Sequence, residues 1–168
     1  DLCMALMVES ANDAAIVLGV HAAGSFDSFV ARMNARAAEL GMKNTKYYNP
    51  NGLPPNANRC YPWKKFNVST ARDQMLLARQ LVKIPEVFDY TSVKTCDLIK
   101  TADGFRTSVT RRTNEPNRAT EVLLGERVVK QLTNHNNGMR TEKLKIVNAD
   151  GKEALDGLKT GYIEAGGS

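Results

Sequence analysis

Glu9-Ser10-Ala11-Asn12-Asp13-Ala14-Ala15 is the stretch on which the reading of this chain turns. Before it, residues 1–8 (DLCMALMV) are apolar apart from Asp1 and read as the end of a buried helix. Ser10 and Asn12 interrupt that run. A second helix is expected from about Asp13 to Ala23, where Gly24 stops it. A serine and an asparagine between two apolar helices have an ordinary reading: a helix N-cap followed by first-turn polar residues. Lys159-Thr160-Gly161 lies 149 residues after Ser10, and its ordinary reading is a strand end and a turn. Either tripeptide alone occurs by chance in many proteins.

Working outward from residues 9–15, Ser25 is a fitting N-cap for a helix in which Phe26, Phe29, Val30, Met33, Ala37 and Leu40 share one face, and Gly41 supplies its stop. Residues 44–68 are rich in Asn, Pro and Gly. Asn49-Pro50-Asn51-Gly52 is a strong turn signal, and Trp63 and Phe66 are expected to pin this long loop to the body. Ser69 or Thr70 caps the next helix, which should run to about Lys83 before Pro85. Residues 91–99 suit a strand. Residues 100–118 read as a polar excursion. Residues 120–133 fit either a helix or two short strands, and 143–147 alternate like an exposed strand. The last useful segment is Leu158 to Ala165.

Composition sets the outer limits. With 168 residues, 42% hydrophobic and 24% charged, the chain is that of one folded domain and not of a disordered segment. No apolar run approaches the ~20 residues that span a bilayer. No signal peptide is visible, although the first residue is not Met and the chain begins in mid-pattern. The net charge of +5 suits anionic partners, but the basic residues are scattered; Lys64-Lys65 and Arg111-Arg112 are the densest groups and make no nucleic-acid patch. Cys3, Cys60 and Cys96 match no zinc spacing, and with two histidines (His21, His135) a metal site is not expected. Cys3 reads as a buried helical thiol. Cys60 and Cys96 could pair under oxidising conditions. His21, on an apolar helix, reads as structural. Asn67-Val68-Ser69 fits a glycosylation sequon that a bacterial protein would leave unused.

Taken together, Ser10-Ala11-Asn12 and Lys159-Thr160-Gly161 match two of the three signatures shared by class A β-lactamases and penicillin-binding proteins. Their contexts narrow this. Glu9 to Ala15 resembles the Ser-Gly-Asn-Asp-Ala-Ala segment of serine D-alanyl-D-alanine carboxypeptidases, with Ala11 in place of the commoner glycine. Phe29-Val30 to Met33-Asn34 and Ala37 to Met42 are similar to the family helix that follows. Asn49-Pro50-Asn51-Gly52-Leu53 matches its Asn-Pro-x-Gly-Leu turn, Ser69-Thr70-Ala71-Arg72-Asp73 the start of its next helix, and Asp156 to Tyr162 its third-motif strand. Asn134-His135-Asn136 resembles a family strand before that motif. The resemblance covers roughly 1–90 and 134–168.

It implies an α+β, β-lactamase/transpeptidase-like fold, of which this chain holds mostly the helical subdomain and part of the antiparallel sheet. It also implies removal of the terminal D-alanine of a peptidoglycan stem peptide through an acyl-enzyme, in the periplasm or on the outer face of the cytoplasmic membrane. No cofactor or metal is implied, and β-lactams would act as inhibitors. Membrane association, if any, would come through segments outside the chain. By resemblance, Ser10 joins the proton relay to the leaving amine and Asn12 holds the base lysine or the substrate amide. Lys159 supplies positive charge for the substrate carboxylate, and Thr160 hydrogen-bonds it. Gly161 lets the substrate backbone approach, and the Tyr162 N–H is an oxyanion donor.

One departure is large. No lysine in the chain has a serine three residues before it, so the Ser-x-x-Lys motif that carries the family nucleophile and its base is absent. The expectation is therefore a partial domain over 1–168, with the nucleophile segment and the last sheet strands lying outside it, and inactive alone. The stretches 54–68 and 100–133 look longer than usual. A class A β-lactamase is disfavoured because no Glu-x-x-Leu-Asn is present. A D,D-endopeptidase shares all these motifs, and a non-catalytic protein of the same fold that binds wall peptides is the alternative from another class.

Overall fold

The computed structural model describes residues 1–55, 62–113 and 115–134. They fall into two units. One comprises Asp1–Ala11 with the described residues from Pro85 onward; the other is Asn12–Ile84.

The first unit is built on a hairpin and a returning strand. Helix α1 (Leu2–Val8) comes first in the chain; after a 3-10 turn (Pro85–Val87) and the short α5 (Phe88–Thr91), β1 (Val93–Lys100), β2 (Phe105–Arg112) and β3 (Arg127–Thr133) form an antiparallel sheet in the order β2-β1-β3. β1 is central, and its burial shows why: Val93, Cys96, Asp97 and Ile99 are all buried. Side chains alternate across a strand. Cys96 and Leu98 thus join Met4 and Val8 of α1, Leu132 and Val109 in the core, while Asp97 and Ile99 take the other face. There Asp97 accepts hydrogen bonds from Thr120 Oγ1 and from Gln131 Nε2 (3.3 Å). These bonds satisfy a carboxylate that burial would otherwise penalise.

Several expectations change here. Residues 100–118 are no mere excursion, because 105–112 form β2. The segment FRTSVTRR hides its strand: its β-branched residues are spaced by Arg and Ser, and only Thr110 is buried. Residues 120–133 resolve into an irregular stretch and one strand, β3. Helix α1 is half-buried and not buried throughout; only Val8 is fully enclosed. Cys3 is half-buried, and the buried thiol is Cys96, which is free. Cys60 lies outside the described residues, as do the expected strand at 143–147 and the segment from Leu158.

The second unit is helical: α2 (Asn12–Ala23), α3 (Phe26–Glu39) and α4 (Ala71–Leu81). α2 and α3 approach closely because Gly19 has no side chain; a Cβ there would come within 2.5 Å of the Phe29 ring. Ser25 caps α3 as expected, accepting from Ser28 N–H at 3.1 Å. Thr70, not Ser69, caps α4, accepting from Asp73 N–H at 3.2 Å. The loop between α3 and α4 is fastened by Trp63, which is buried, stacks on Phe26 at 5.7 Å and donates its Nε1–H to the Leu53 carbonyl. Phe66 was expected to share that work but is 48% exposed. His21 is exposed in the last turn of α2. No single described helix is long and apolar enough to cross a membrane.

Candidate active site

Ser10 sits where α1 ends. The N–H groups of Glu9 (3.2 Å) and Ala11 (3.1 Å) both reach the Ala5 carbonyl, and the chain between them turns through a left-handed conformation at Ser10, φ +62°. Helix ends use this conformation often, but normally with glycine, since a Cβ there costs about 1–2 kcal/mol. Ser10 is the one non-glycine residue among the described residues with positive φ. Its hydroxyl has no hydrogen-bond partner among the described residues. The simple N-cap reading therefore fails: α2 begins at Asn12, and Ser10 caps nothing. Backbone strain held at a polar side chain that bonds nothing locally is a mark of functional positions.

The turn has support that no sequence pattern could have revealed. Glu9, directly before Ser10, is ion-paired with Lys130 of β3. The two are 121 residues apart, and Lys130 lies outside every motif the sequence offers. Beneath lies Cys96, whose thiol pKa is pushed up to about 11, mainly by burial, with the charges of Asp97 and Glu9 adding to it. A thiol so disposed stays protonated and is a packing group, not a nucleophile.

Asn12 is the first residue of α2 and is half-buried. Asp13, also in that first turn, accepts from Ala14 N–H (2.9 Å) and places a negative charge at the positive end of the helix. Lys159, Thr160, Gly161 and Tyr162 lie outside the described residues. So do His135 and Asn136; of that triplet Asn134 is described, buried, and donates Nδ2 to the Val93 carbonyl at 3.0 Å.

The two remaining motifs turn out to be fasteners. Asn49, fully buried, accepts from Gly52 N–H (2.6 Å) and donates to the Leu53 carbonyl (3.1 Å), closing the turn in which Gly52 takes φ +79°. Asn67 accepts from Tyr48 and Asn49 N–H groups and donates to the Asn49 carbonyl, so its amide is consumed by the loop. Asp73 binds Asn44 N–H and Thr45 Oγ1, both at 2.8 Å.

A family model described as D-alanyl-D-alanine carboxypeptidase matches residues 1–118. The chain belongs to the D-alanyl-D-alanine carboxypeptidase family. That match takes in Ser10, Asn12, both fastening motifs and the β1–β2 hairpin, while Lys159-Thr160-Gly161 lies beyond it. Among curated relatives, the carboxypeptidase DacF of Bacillus subtilis is 31% identical over 91 residues, 54% of this chain and 21% of that protein. A D-alanyl-D-alanine endopeptidase of Escherichia coli is 38% identical over 73 residues, 44% of this chain and 20% of that protein. Among solved structures, penicillin-binding protein D2 of Listeria monocytogenes in its ampicillin-bound form superimposes with TM-score 0.60 at 28% identity, over 98% of this chain and 49% of that one. The fold is thus that of the penicillin-binding proteins. The chain spans about a fifth of the length of the curated relatives it matches and about half of that structure.

Proposed function

We propose that these residues form the central part of the catalytic domain of a serine D-alanyl-D-alanine carboxypeptidase. The observation that carries this reading is Ser10: a serine held in a left-handed turn, its hydroxyl bonded to nothing among the described residues, inside the stretch that matches the family. The substrate is a peptidoglycan stem peptide ending in D-Ala-D-Ala. A serine attacks the penultimate D-alanine carbonyl, the terminal D-alanine leaves, and water frees the acyl-enzyme. Since no Ser-x-x-Lys occurs in the 168 residues, the nucleophile and its base come from chain outside them. Ser10 passes a proton toward the leaving amine, and Asn12 holds the base lysine or the substrate amide. Lys159 and Thr160 receive the substrate's terminal carboxylate, Gly161 lets its backbone approach, and the Tyr162 N–H is one oxyanion donor. Such a substrate is met outside the cytoplasmic membrane, so the protein works there, and β-lactams acylate the same serine; the Listeria protein solved in an ampicillin-bound form supports β-lactam binding.

Fluorescent penicillin tests this on the protein that carries both these residues and the Ser-x-x-Lys segment. Covalent labelling that unlabelled ampicillin blocks is expected. A protein that stays unlabelled contradicts the acyl-enzyme reading and favours a non-catalytic protein of the same fold.

A second reading is favoured by the 38% identity to an endopeptidase. Cross-linked muropeptide dimers distinguish the two. A carboxypeptidase releases free D-alanine and leaves the dimer joined; an endopeptidase releases monomers.

A further inference from the structure

The two residues before Ser10 are both held by β3. Val8 is fully buried and shares one core cluster with Leu132 of that strand. Glu9 is ion-paired with Lys130 of the same strand. Lys130 and Leu132 are two residues apart and stand on one face. In register they lie opposite Leu98 and Cys96 of β1, which also face that core. One attachment is by packing and the other by charge.

β3 is shaped for the second attachment. Ile99 pairs with Val128 and Leu98 with Lys130, so β3 takes two steps for one step of β1, and Val129 is the extra residue of a bulge. A bulge re-aims the side chains beside it. Here Val128 falls opposite Ile99, which takes the other face of the sheet, while Lys130 falls on the face that carries α1.

The turn that these attachments reach has little hydrogen bonding of its own. The Ala5 carbonyl takes both the Glu9 and the Ala11 N–H groups. Between them Ser10 holds φ +62°, a conformation that persists for a residue with a Cβ only where the surroundings over-determine it. The Ser10 hydroxyl also depends on direction. On the reading proposed above, it passes a proton toward the leaving amine, and such a bond weakens steeply once its angle is lost.

We propose that Glu9 and Lys130 are positioning residues for Ser10: their ion pair holds the left-handed turn at the angle from which the hydroxyl serves the leaving group. Both side chains are partly in solvent, and pairs of that kind add little to stability. Breaking the pair therefore shows in the reaction and not in folding.

The inference rests on the carboxypeptidase reading and is tested on the protein that carries the Ser-x-x-Lys segment, with two substrates. One ends in D-Ala-D-Ala; in the other a thioester replaces the scissile amide. An amine must gain a proton to leave and a thiolate need not, so a misplaced relay slows the peptide and spares the thioester. Glu9→Ala and Lys130→Met should each lower kcat for the peptide about 10–100-fold, with KM nearly unchanged and thioester turnover within roughly threefold of wild type. The double variant should be no slower than the slower single one, because the two residues act as a unit. Lys130→Arg, which keeps the charge, should restore most of the rate. Variants as fast as the wild type, equal slowing of both substrates, a rise in KM alone, or additive losses in the double variant would overturn the inference and leave the carboxypeptidase reading standing. A wild type that cleaves neither substrate defeats that reading, and the inference with it.

Discussion

Asp73 accepts a hydrogen bond from Thr45 Oγ1 at 2.8 Å, joining the first turn of α4 to a residue 28 positions earlier. The same oxygen takes Asn44 N–H at 2.8 Å, and the carboxylate is buried. The Ser-Thr-Ala-Arg-Asp motif is therefore a clasp: Thr70 closes the helix end and Asp73 ties it to the segment after α3. Asp73→Ala leaves the Asn44 N–H and the Thr45 hydroxyl, both part-buried in these bonds, without that acceptor. A loss of about 2–3 kcal/mol in urea unfolding is expected. A change below about 0.5 kcal/mol would show that the clasp is not formed.

Gly19 and Phe29 make a similar point by absence. Gly19→Ala gains roughly 1 kcal/mol of helix propensity but sets a methyl group on the Phe29 ring. Overpacking of this kind costs typically 1–3 kcal/mol, so net destabilisation is expected. In a Phe29→Ala background the clash disappears, and Gly19→Ala should become neutral or stabilising. A double-mutant cycle over thermal unfolding measures the coupling.

The Arg106–Glu126 clamp sets the acid behaviour of the loop between β2 and β3. The hydrogen bond from Arg106, with that from Leu123 N–H, holds the Glu126 pKa down to about 2, from a usual 4.5. A carboxylate with a lowered folded pKa stabilises fully above its unfolded value, and the contribution is lost as pH falls through the folded one. The clamp should hold at pH 5, weaken below about 4.5 and open near 2. Carbon-detected NMR titration of the Glu126 carboxyl checks the midpoint; a midpoint near 4.5 would show that the clamp is open in solution.

Thiol reactivity separates the two described cysteines. Cys96, with its pKa pushed up to about 11, should resist a maleimide at pH 8, while half-buried Cys3 reacts. Denaturant should equalise them. Because the folded pKa is raised, Cys96 also predicts stability that is complete below pH 9 and declines as pH rises from 9 to 11. Peptide mapping of the alkylated protein gives the reactivity, and early modification of Cys96 would contradict the core described here.

What could be read in the sequence was local. Periodicity placed the face of α3, and side-chain chemistry placed the Ser25 cap and the turn at Asn49, because each is decided within a few residues. β2 was missed because its one buried side chain, Thr110, gives no apolar alternation. Phe66 and Trp63 looked alike as loop anchors, and only the Phe26 ring beneath Trp63 tells them apart. At the site, the motif gave Ser10 but not its left-handed backbone. Nor did it give the Glu9–Lys130 pair, which depends on β3 arriving beside α1 from 121 residues away.

The most direct test is D-alanine release from a peptide ending in D-Ala-D-Ala, comparing the protein that carries the Ser-x-x-Lys segment with its Ser10→Ala variant. A proton-relay role predicts release by the wild type and a fall in kcat of roughly 10²–10⁴-fold in the variant, with folding unchanged. Release that is undiminished in Ser10→Ala, or no release by the wild type, would contradict the account.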